Sequence, residues 1–581
     1  MRLPPAATVD RPCQLFFERE RLVNQSLDTP VMPRGAIAAP DVYSADAARA
    51  MLALGGNAVD AAIAAAFVLA VTYPEAGNIG GSGFMTVWFD GKPYFLDYRD
   101  TAPAVASPSM FQDADGAVRP GMSVVGAMAV GIPGTVMGLW TAHQRFGSLE
   151  WECLLEPAIR YAEQGFAVHA QLVERRDVML DDFAETTNFT KYFGELSVDA
   201  PFCQPELGAT LRRIACDGPQ DFYHGTSAEL LLAQMGRNGG AMTKQDLAGY
   251  RAVWRAPLVA AWRDKQVVTA PPPSSGGIGL VQHLMMKEAL ASEFEGVAHN
   301  SAQYLHLIAE ISKRVFADRA EYVGDPDFAA VPVERLLDAD YLARRAAEVD
   351  PHRPSAMASV AAGLGESDET THFSIVDSWG NAVSNTFTLN SKFGSGVVVE
   401  GGGFLLNNGM DDFSSKAGVP NRFGLMGAVA NAIAPGKRMV SSMAPTLLVK
   451  DGRVCLVIGT PGGSRIFTSI FQVMNNLFDF KMPLAQAVAA MRAHHQLHPE
   501  NTIYWEPYWP IAGVLADQLE ARGYRLASRF TNGDIQVIRI DGQRVEAAAD
   551  PRARGVAFTC DAASRAAPEL QDREPLAVFL M

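Results

Sequence analysis

The run Asp368-Glu369-Thr370-Thr371-His372-Phe373-Ser374 holds the residues whose types and order point most directly to chemistry. A hydroxyl is a weak nucleophile, and an adjacent amine is one of the few groups able to activate it. If the backbone breaks between Glu369 and Thr370, the new N-terminal threonine carries hydroxyl and free α-amine on one residue. No separate catalytic histidine is then required.

The elements around this run say what must stand beside it. A strand from Thr370 to Asp377, the loop Ser378-Trp379-Gly380 and a second strand from Asn381 to Leu389 read as a hairpin, because a three-residue loop ending in glycine is a favoured connection. Pairing Asp377 with Asn381 sets Thr370 opposite Thr388, with Cβ atoms about 5 Å apart. Alternation then sorts Phe373, Ile375, Val383, Phe387 and Leu389 onto an apolar face. Thr370, His372, Ser374, Ser384, Thr386 and Thr388 fall on the other, which reads as a site. From this hairpin alone, threonine's strand propensity accounts for the pattern equally well.

A second hairpin is marked by Asp451-Gly452, a type I′ turn pair between Thr446–Lys450 and Arg453–Ile458. With Lys450 opposite Arg453, an unbroken ladder carries Ser441 to Gly462. Ser464 then stands where it could cap an apolar-periodic helix, Ile466 to Leu477, which sets the amides of Gly462 and Gly463 at a positive helix end suited to an oxyanion. The run Gly77-Asn78-Ile79-Gly80-Gly81-Ser82-Gly83 superficially resembles a nucleotide loop. A strand follows it rather than a helix, so it reads as a turn that lets backbone pass close to a site.

With 581 residues, 48% hydrophobic and 19% charged, the chain can bury a large core. The formal charge of −15 argues against nucleic acid, which demands a concentrated basic surface. Cys13, Cys153, Cys203, Cys216, Cys455 and Cys560 lack the paired spacing of a zinc or redox site and read as buried free thiols. The adjacent pair His494 and His495 reads as surface or capping histidines. No export signal is visible between Met1 and Gly35, which points to the cytoplasm over the periplasm or secretion. The longest apolar stretch, Ala61 to Tyr73, is too short to span a bilayer. Residues 1–34 read as an extension, 35–369 as helix-rich and 370–581 as strand-rich, with a tail from about 553. That division fits an α+β fold of helices on both faces of antiparallel sheets.

At this point the chain resembles a known family, the γ-glutamyltranspeptidases or glutathione hydrolases of the N-terminal-nucleophile (Ntn) hydrolase superfamily. The resemblance runs from about Gly35 to Arg552. It is carried by Gly55-Gly56-Asn57-Ala58-Val59-Asp60, Ala76-Gly77-Asn78-Ile79-Gly80-Gly81, Pro272-Pro273-Ser274-Ser275-Gly276-Gly277, Thr370-Thr371-His372, Asn407-Asn408-Gly409-Met410-Asp411-Asp412-Phe413, Ser441-Ser442-Met443-Ala444-Pro445-Thr446 and Gly459-Thr460-Pro461-Gly462-Gly463.

The resemblance implies a four-layer αββα sandwich, the Ntn-hydrolase fold, and a precursor that cleaves itself between Glu369 and Thr370 into two intertwined subunits that stay associated. It implies a γ-glutamyl ester on Thr370, formed from glutathione or a relative and resolved by water or an amino acid. By the same resemblance Arg99, Ser441 and Ser442 hold the donor's α-carboxylate, Asn390 and Asp412 its α-ammonium, Thr388 steadies Thr370, and Gly462 with Gly463 forms the oxyanion hole. No metal or organic cofactor is required. Relatives often carry glutamate or glutamine where this chain has Gly409, a side chain that helps bind the ammonium. Bacterial relatives have a lid, matched by Lys416 to Gly427, with tyrosine in place of Phe423. Two alternatives are an acylase of the same mechanism acting on a glutaryl or oxamate-like amide, and an unprocessed, non-catalytic homologue.

Overall fold

The structure is a computed structural model describing residues 34–357, 360, 370–414, 429–507, 509, 511–528 and 531–561. Glu369, Cys13, the matched lid segment with Phe423, and the ends of the chain lie outside the described residues.

Asn57 and Asp60 open the alanine-rich run with a capping box, the Asn57 side chain accepting from the helix amides while Asp60 Oδ2 accepts from the Asn57 N–H at 2.8 Å. The helix that follows, α2 (Ala58–Thr72), is preceded by α1 (Val42–Ala53). Every residue of α2 is buried, as a helix apolar all round must be.

Thirteen strands are needed to place the site: β1 (Arg34–Ala39), β2 (Ser82–Phe89), β3 (Lys92–Tyr98), β4 (Val253–Arg255), β5 (Leu258–Trp262), β6 (Lys265–Thr269), β7 (Thr371–Val376), β8 (Ala382–Thr388), β9 (Thr446–Lys450), β10 (Arg453–Gly459), β11 (Gln536–Asp541), β12 (Arg544–Ala549) and β13 (Val556–Asp561). They form a seven-stranded sheet ordered β13-β1-β7-β8-β2-β3-β4 and a six-stranded sheet ordered β12-β11-β10-β9-β6-β5. All neighbours within both sheets are antiparallel.

Three apolar interfaces stack these layers. Phe373, Ile375, Val383, Phe387 and Leu389 pack beneath α1 and α2. Leu448, Leu456, Ile458 and Val537 pack under α3 (Gly276–Ala289), α4 (Ala302–Tyr322) and α5 (Arg465–Phe478). Between the sheets, Ala36, Ala38, Val376 and Ala382 meet Val268, Leu447, Val457 and Ile538. The result is the αββα sandwich.

Two expectations change here. The face carrying His372, Ser374, Ser384 and Thr386 is not an open site along its length but the buried interface between the sheets. Ser374 Oγ donates to the Gln536 carbonyl at 2.9 Å and Ser384 Oγ to that of Ile458 at 3.1 Å. The residues from 553, read as a tail, supply β13, an edge strand that pairs with β1 from Arg34↔Asp561 to Ala39↔Val556. Sequence could not show this, since a short strand at the far end of a chain finds its partner only through tertiary structure.

Ending the chain after Gly555 rather than after Asp561 removes β13, whose Val556 and Phe558 pack partly buried on the helical layer. The expected loss is about 2–4 kcal/mol, from burial of roughly 25 cal/mol per Å² and the exposed β1 edge. It is measured as a lower denaturation midpoint of the shorter chain.

Candidate active site

β7 and β8 pair from Val376↔Ala382 to Thr371↔Phe387, the register read from the loop, so Thr370 stands one step beyond the ladder opposite Thr388. On the other side of Thr388 lies Ser82 of β2. Gly81 makes this close approach feasible, because a Cβ there would come 2.3 Å from the Thr388 carbonyl oxygen. Thr388 Oγ1 accepts from the Asn390 N–H at 2.8 Å, and Asn390 Nδ2 donates to the Asn408 carbonyl at 3.0 Å. Asn390 has φ +81°, in a region that asparagine enters more readily than most residues.

From Ser82 the site continues to a buried ion cluster. Arg99 Nη1 lies 3.3 Å from Ser82 Oγ and 3.1 Å from Asp100 Oδ1, while Nη2 pairs with Asp412 Oδ2. Its backbone carbonyl accepts from Tyr250 OH at 2.8 Å. Asp412 ends the 3₁₀ turn Gly409–Asp412. Asn407 secures that turn, its Oδ1 accepting from Gly131 and Gly409 N–H at 2.9 and 3.0 Å. Its Nδ2 donates to the Gly80 and Gly131 carbonyls at 2.9 and 3.0 Å. The structure therefore connects Thr388, Asn390, Arg99 and Asp412 through one ladder and its hydrogen bonds, with Thr370 one step beyond the end of that ladder.

Ser441 and Ser442 arrive by a different route from the one the hairpin implied. Lys450 does pair with Arg453, but a bulge between Leu448 and Val449 shifts the ladder by one residue, and it ends at Thr446↔Ile458. Ser441 instead bridges Ser274 in parallel. Its carbonyl accepts from the Ser275 N–H at 2.6 Å and from Ser275 Oγ at 2.8 Å. Ser275 Oγ lies 3.4 Å from Ser442 Oγ and accepts from Arg319 Nε at 2.9 Å. Upstream, Arg438 bridges Thr101, so one extended segment runs from beside Arg99 to the Pro272–Gly277 loop. A Cβ on Gly276 would come 2.2 Å from the Ser442 carbonyl oxygen.

Gly462 and Gly463 follow β10 with φ +128° and +54°. Their carbonyls accept from Arg465 and Ile466 N–H at 3.0 Å each, and among the described residues neither glycine N–H donates to a protein acceptor. Gly459, three residues earlier, lies against the His372 ring, so the turn leaves its sheet towards the Thr370 end of β7. Ser464 makes no side-chain cap; its Oγ donates instead to Gln496 Oε1 at 2.9 Å.

His372 is fully buried, with Nδ1 2.7 Å from Thr386 Oγ1 and Nε2 3.2 Å from Ser374 Oγ. Burial pulls its pKa down to about 3, so it is neutral at physiological pH and unavailable as an acid. His494 and His495 are also buried rather than at the surface, because the short strand Ala493–His494 and the residue after it run under α4 and α5. Their pKa values are lowered by the same desolvation, that of His494 to about 3. Of the five cysteines among the described residues, Cys203 and Cys216 are exposed and Cys153, Cys455 and Cys560 half-buried, so none of them is buried as expected. Sequence reasoning passed over Ser82 and Asp100, although one precedes a predicted strand and the other adjoins Arg99.

Comparison with known proteins agrees with this architecture. The family model for gamma-glutamyltranspeptidase matches residues 44–560. The chain belongs to that family. The glutathione hydrolase proenzyme of Pseudomonas aeruginosa is 59% identical over 523 residues, spanning 90% of this chain and 94% of that one. The gamma-glutamyltranspeptidase of Pseudomonas nitroreducens, solved in complex with L-DON, is 54% identical, with a TM-score of 0.56 over 58% of this chain and 99% of that one. The cephalosporin acylase of Bacillus halodurans, at 26% identity, superposes with a TM-score of 0.79 over 93% of this chain and 99% of that one.

The buried neutral His372 carries a pH signature. The unfolded chain binds its proton below about pH 6.5, whereas the folded chain does so only near pH 3. Its contribution to stability is therefore present above about pH 6.5 and fades as pH falls towards 3. His372→Gln should destabilise most at pH 7, and the gap from the parent should narrow by about 1.4 kcal/mol per unit below pH 6.5, read from denaturant midpoints.

Proposed function

We propose that this family member is an autoprocessing γ-glutamyltransferase and glutathione hydrolase with Thr370 as nucleophile. The observation that carries the reading is the β7–β8 ladder, which ends at Thr371↔Phe387 one step short of Thr370 and Thr388, with Thr388 paired to Ser82 and Ser82 in turn beside Arg99, the partner of Asp412.

In the first reaction Thr370 Oγ attacks the Glu369 carbonyl. The Oγ–C bond forms, the C–N bond breaks, and the hydroxyl proton passes to the departing nitrogen. That breakage frees the Thr370 amine; water then cleaves the ester, freeing the Glu369 carboxylate and restoring the Thr370 hydroxyl, which leaves residues 1–369 and 370–581 as two associated subunits. In the second reaction that amine takes the Oγ proton as Oγ attacks the γ-carbonyl of the donor. The N–H groups of Gly462 and Gly463 receive the oxyanion, a role in which one donor is worth about 3 to 4 kcal/mol. The leaving amine departs with a proton, and water or an amino acid's amine attacks the ester to restore Thr370.

Donor selection follows from charge. In this reading Arg99, with Ser441 and Ser442, takes the α-carboxylate, while Asp412 and Asn390 take the α-ammonium. At the cluster of Arg99, Asp100 and Asp412 a γ-glutamyl donor adds no net charge, its ammonium offsetting its carboxylate, whereas a glutaryl donor adds a negative one. This favours the γ-glutamyl reading over the acylase one despite the acylase-like fold.

The test is a comparison of γ-glutamyl and glutaryl p-nitroanilides, which share the carboxylate and differ in the ammonium. The expected kcat/KM ratio is at least about tenfold in favour of γ-glutamyl, the scale of one hydrogen bond to a charged group. Equal values would move the assignment to another small acyl group.

A further inference from the structure

This chain has Gly409 where relatives often carry an acidic or amide side chain, and in the structure the Asp100 carboxylate occupies the space beside it. A Cβ on Gly409 would come 1.7 Å from Asp100 Oδ2, and one on Gly131 would come 2.9 Å from the same oxygen. The Asp100 carboxylate is fully buried and seated between two glycines, with room for neither to carry a side chain.

Its other oxygen is anchored. Asp100 Oδ1 accepts from Ser82 Oγ at 2.5 Å and pairs with Arg99 Nη1 at 3.1 Å. Ser82 stands opposite Thr388 in the ladder, so this carboxylate is referenced to the strand that faces Thr370. Arg99 thus has two carboxylates on different nitrogens, Asp100 on Nη1 and Asp412 on Nη2. A donor whose α-carboxylate goes to Arg99 and whose α-ammonium goes to Asp412 must replace the bond between those two residues. Throughout that exchange one anchor of the guanidinium is given up, and the bond through Nη1 is the one that can persist.

We propose that Asp100 is a positioning residue for donor recognition, holding Arg99 through Nη1 while Nη2 passes from Asp412 to the donor's α-carboxylate, and that position 409 must lack a Cβ for Asp100 to do so. This rests on the reading that Arg99 binds the α-carboxylate. Asp100 acts through Arg99 and touches no reacting atom, so its removal weakens donor binding and leaves the chemical steps at Thr370 in place.

The experiment measures KM and kcat separately for γ-glutamyl and glutaryl p-nitroanilides in the parent, Asp100→Ala, Gly409→Ala, the double variant, and Arg99→Lys. Self-cleavage, seen as two fragments, reports in each case that the fold and nucleophile are intact. Asp100→Ala and Gly409→Ala should each raise KM at least about tenfold for both donors, with kcat within about threefold. The double variant should match either single one, because both remove the same anchor. Asp100→Asn, which keeps an acceptor for Nη1 without the charge, should fall between parent and Ala and serves if the Ala variant is not recovered. Multiplied effects in the double variant, an unchanged KM in Asp100→Ala, or a loss confined to the γ-glutamyl donor would overturn the proposal, the last by assigning Asp100 to the ammonium. If Arg99→Lys leaves KM unchanged, the α-carboxylate reading itself fails, a result distinct from failure at Asp100 alone.

Discussion

The register of β7 against β8 is the constraint on which the rest depends. Side chains on a strand alternate with period two, so a slip of one residue would turn Thr370 from the site to the helical layer and send Phe373 and Ile375 between the sheets. The polar face prevents this because it is buried against named partners. Ser374 meets the Gln536 carbonyl, Ser384 meets that of Ile458 and accepts from the Thr446 N–H, and His372 meets Thr386 above Gly459. Leaving one such group unsatisfied costs about 1–3 kcal/mol, so displacing several together exceeds what most single domains have to spare.

That rigid ladder also holds a cluster of buried charge. Arg99 is almost fully buried, and a guanidinium taken out of water is tolerable only with well-placed counter-charges. Asp100 comes from the same loop, Asp412 from a 3₁₀ turn tied down by Asn407, and Ser82 from the strand beside Thr388. Three separate stretches of chain converge there because glycines let backbones touch. Gly80 passes the Leu405 carbonyl and Gly81 that of Thr388 at distances no side chain permits. Nucleophile and charge cluster therefore share one frame, and motion of either strains the other.

Much of this was legible in the sequence where it depends on local rules. The Ser378-Trp379-Gly380 loop and the alternation beyond it specified the β7–β8 pairing, because turn length and period two act over a few residues. What escaped is what only packing decides. The bulge in β9–β10 shifted the register that would have taken Ser441 to Gly462, and the parallel bridge to Ser274 replaced it. Asp100 filling the space beside Gly409, β13 closing on β1, and the burial of His494 and His495 all arise between segments remote in the chain. The motif residues Arg99, Asn390 and Asp412 came from family resemblance, and the structure gathers them through hydrogen bonds that no spacing rule contains.

Intact mass and N-terminal sequencing of the purified active protein test the central claim most directly. The account predicts two chains that stay together under native conditions, the smaller beginning at Thr370 with a free amine. A fully active protein recovered as a single 62.5 kDa chain, with the bond before Thr370 unbroken, would contradict it.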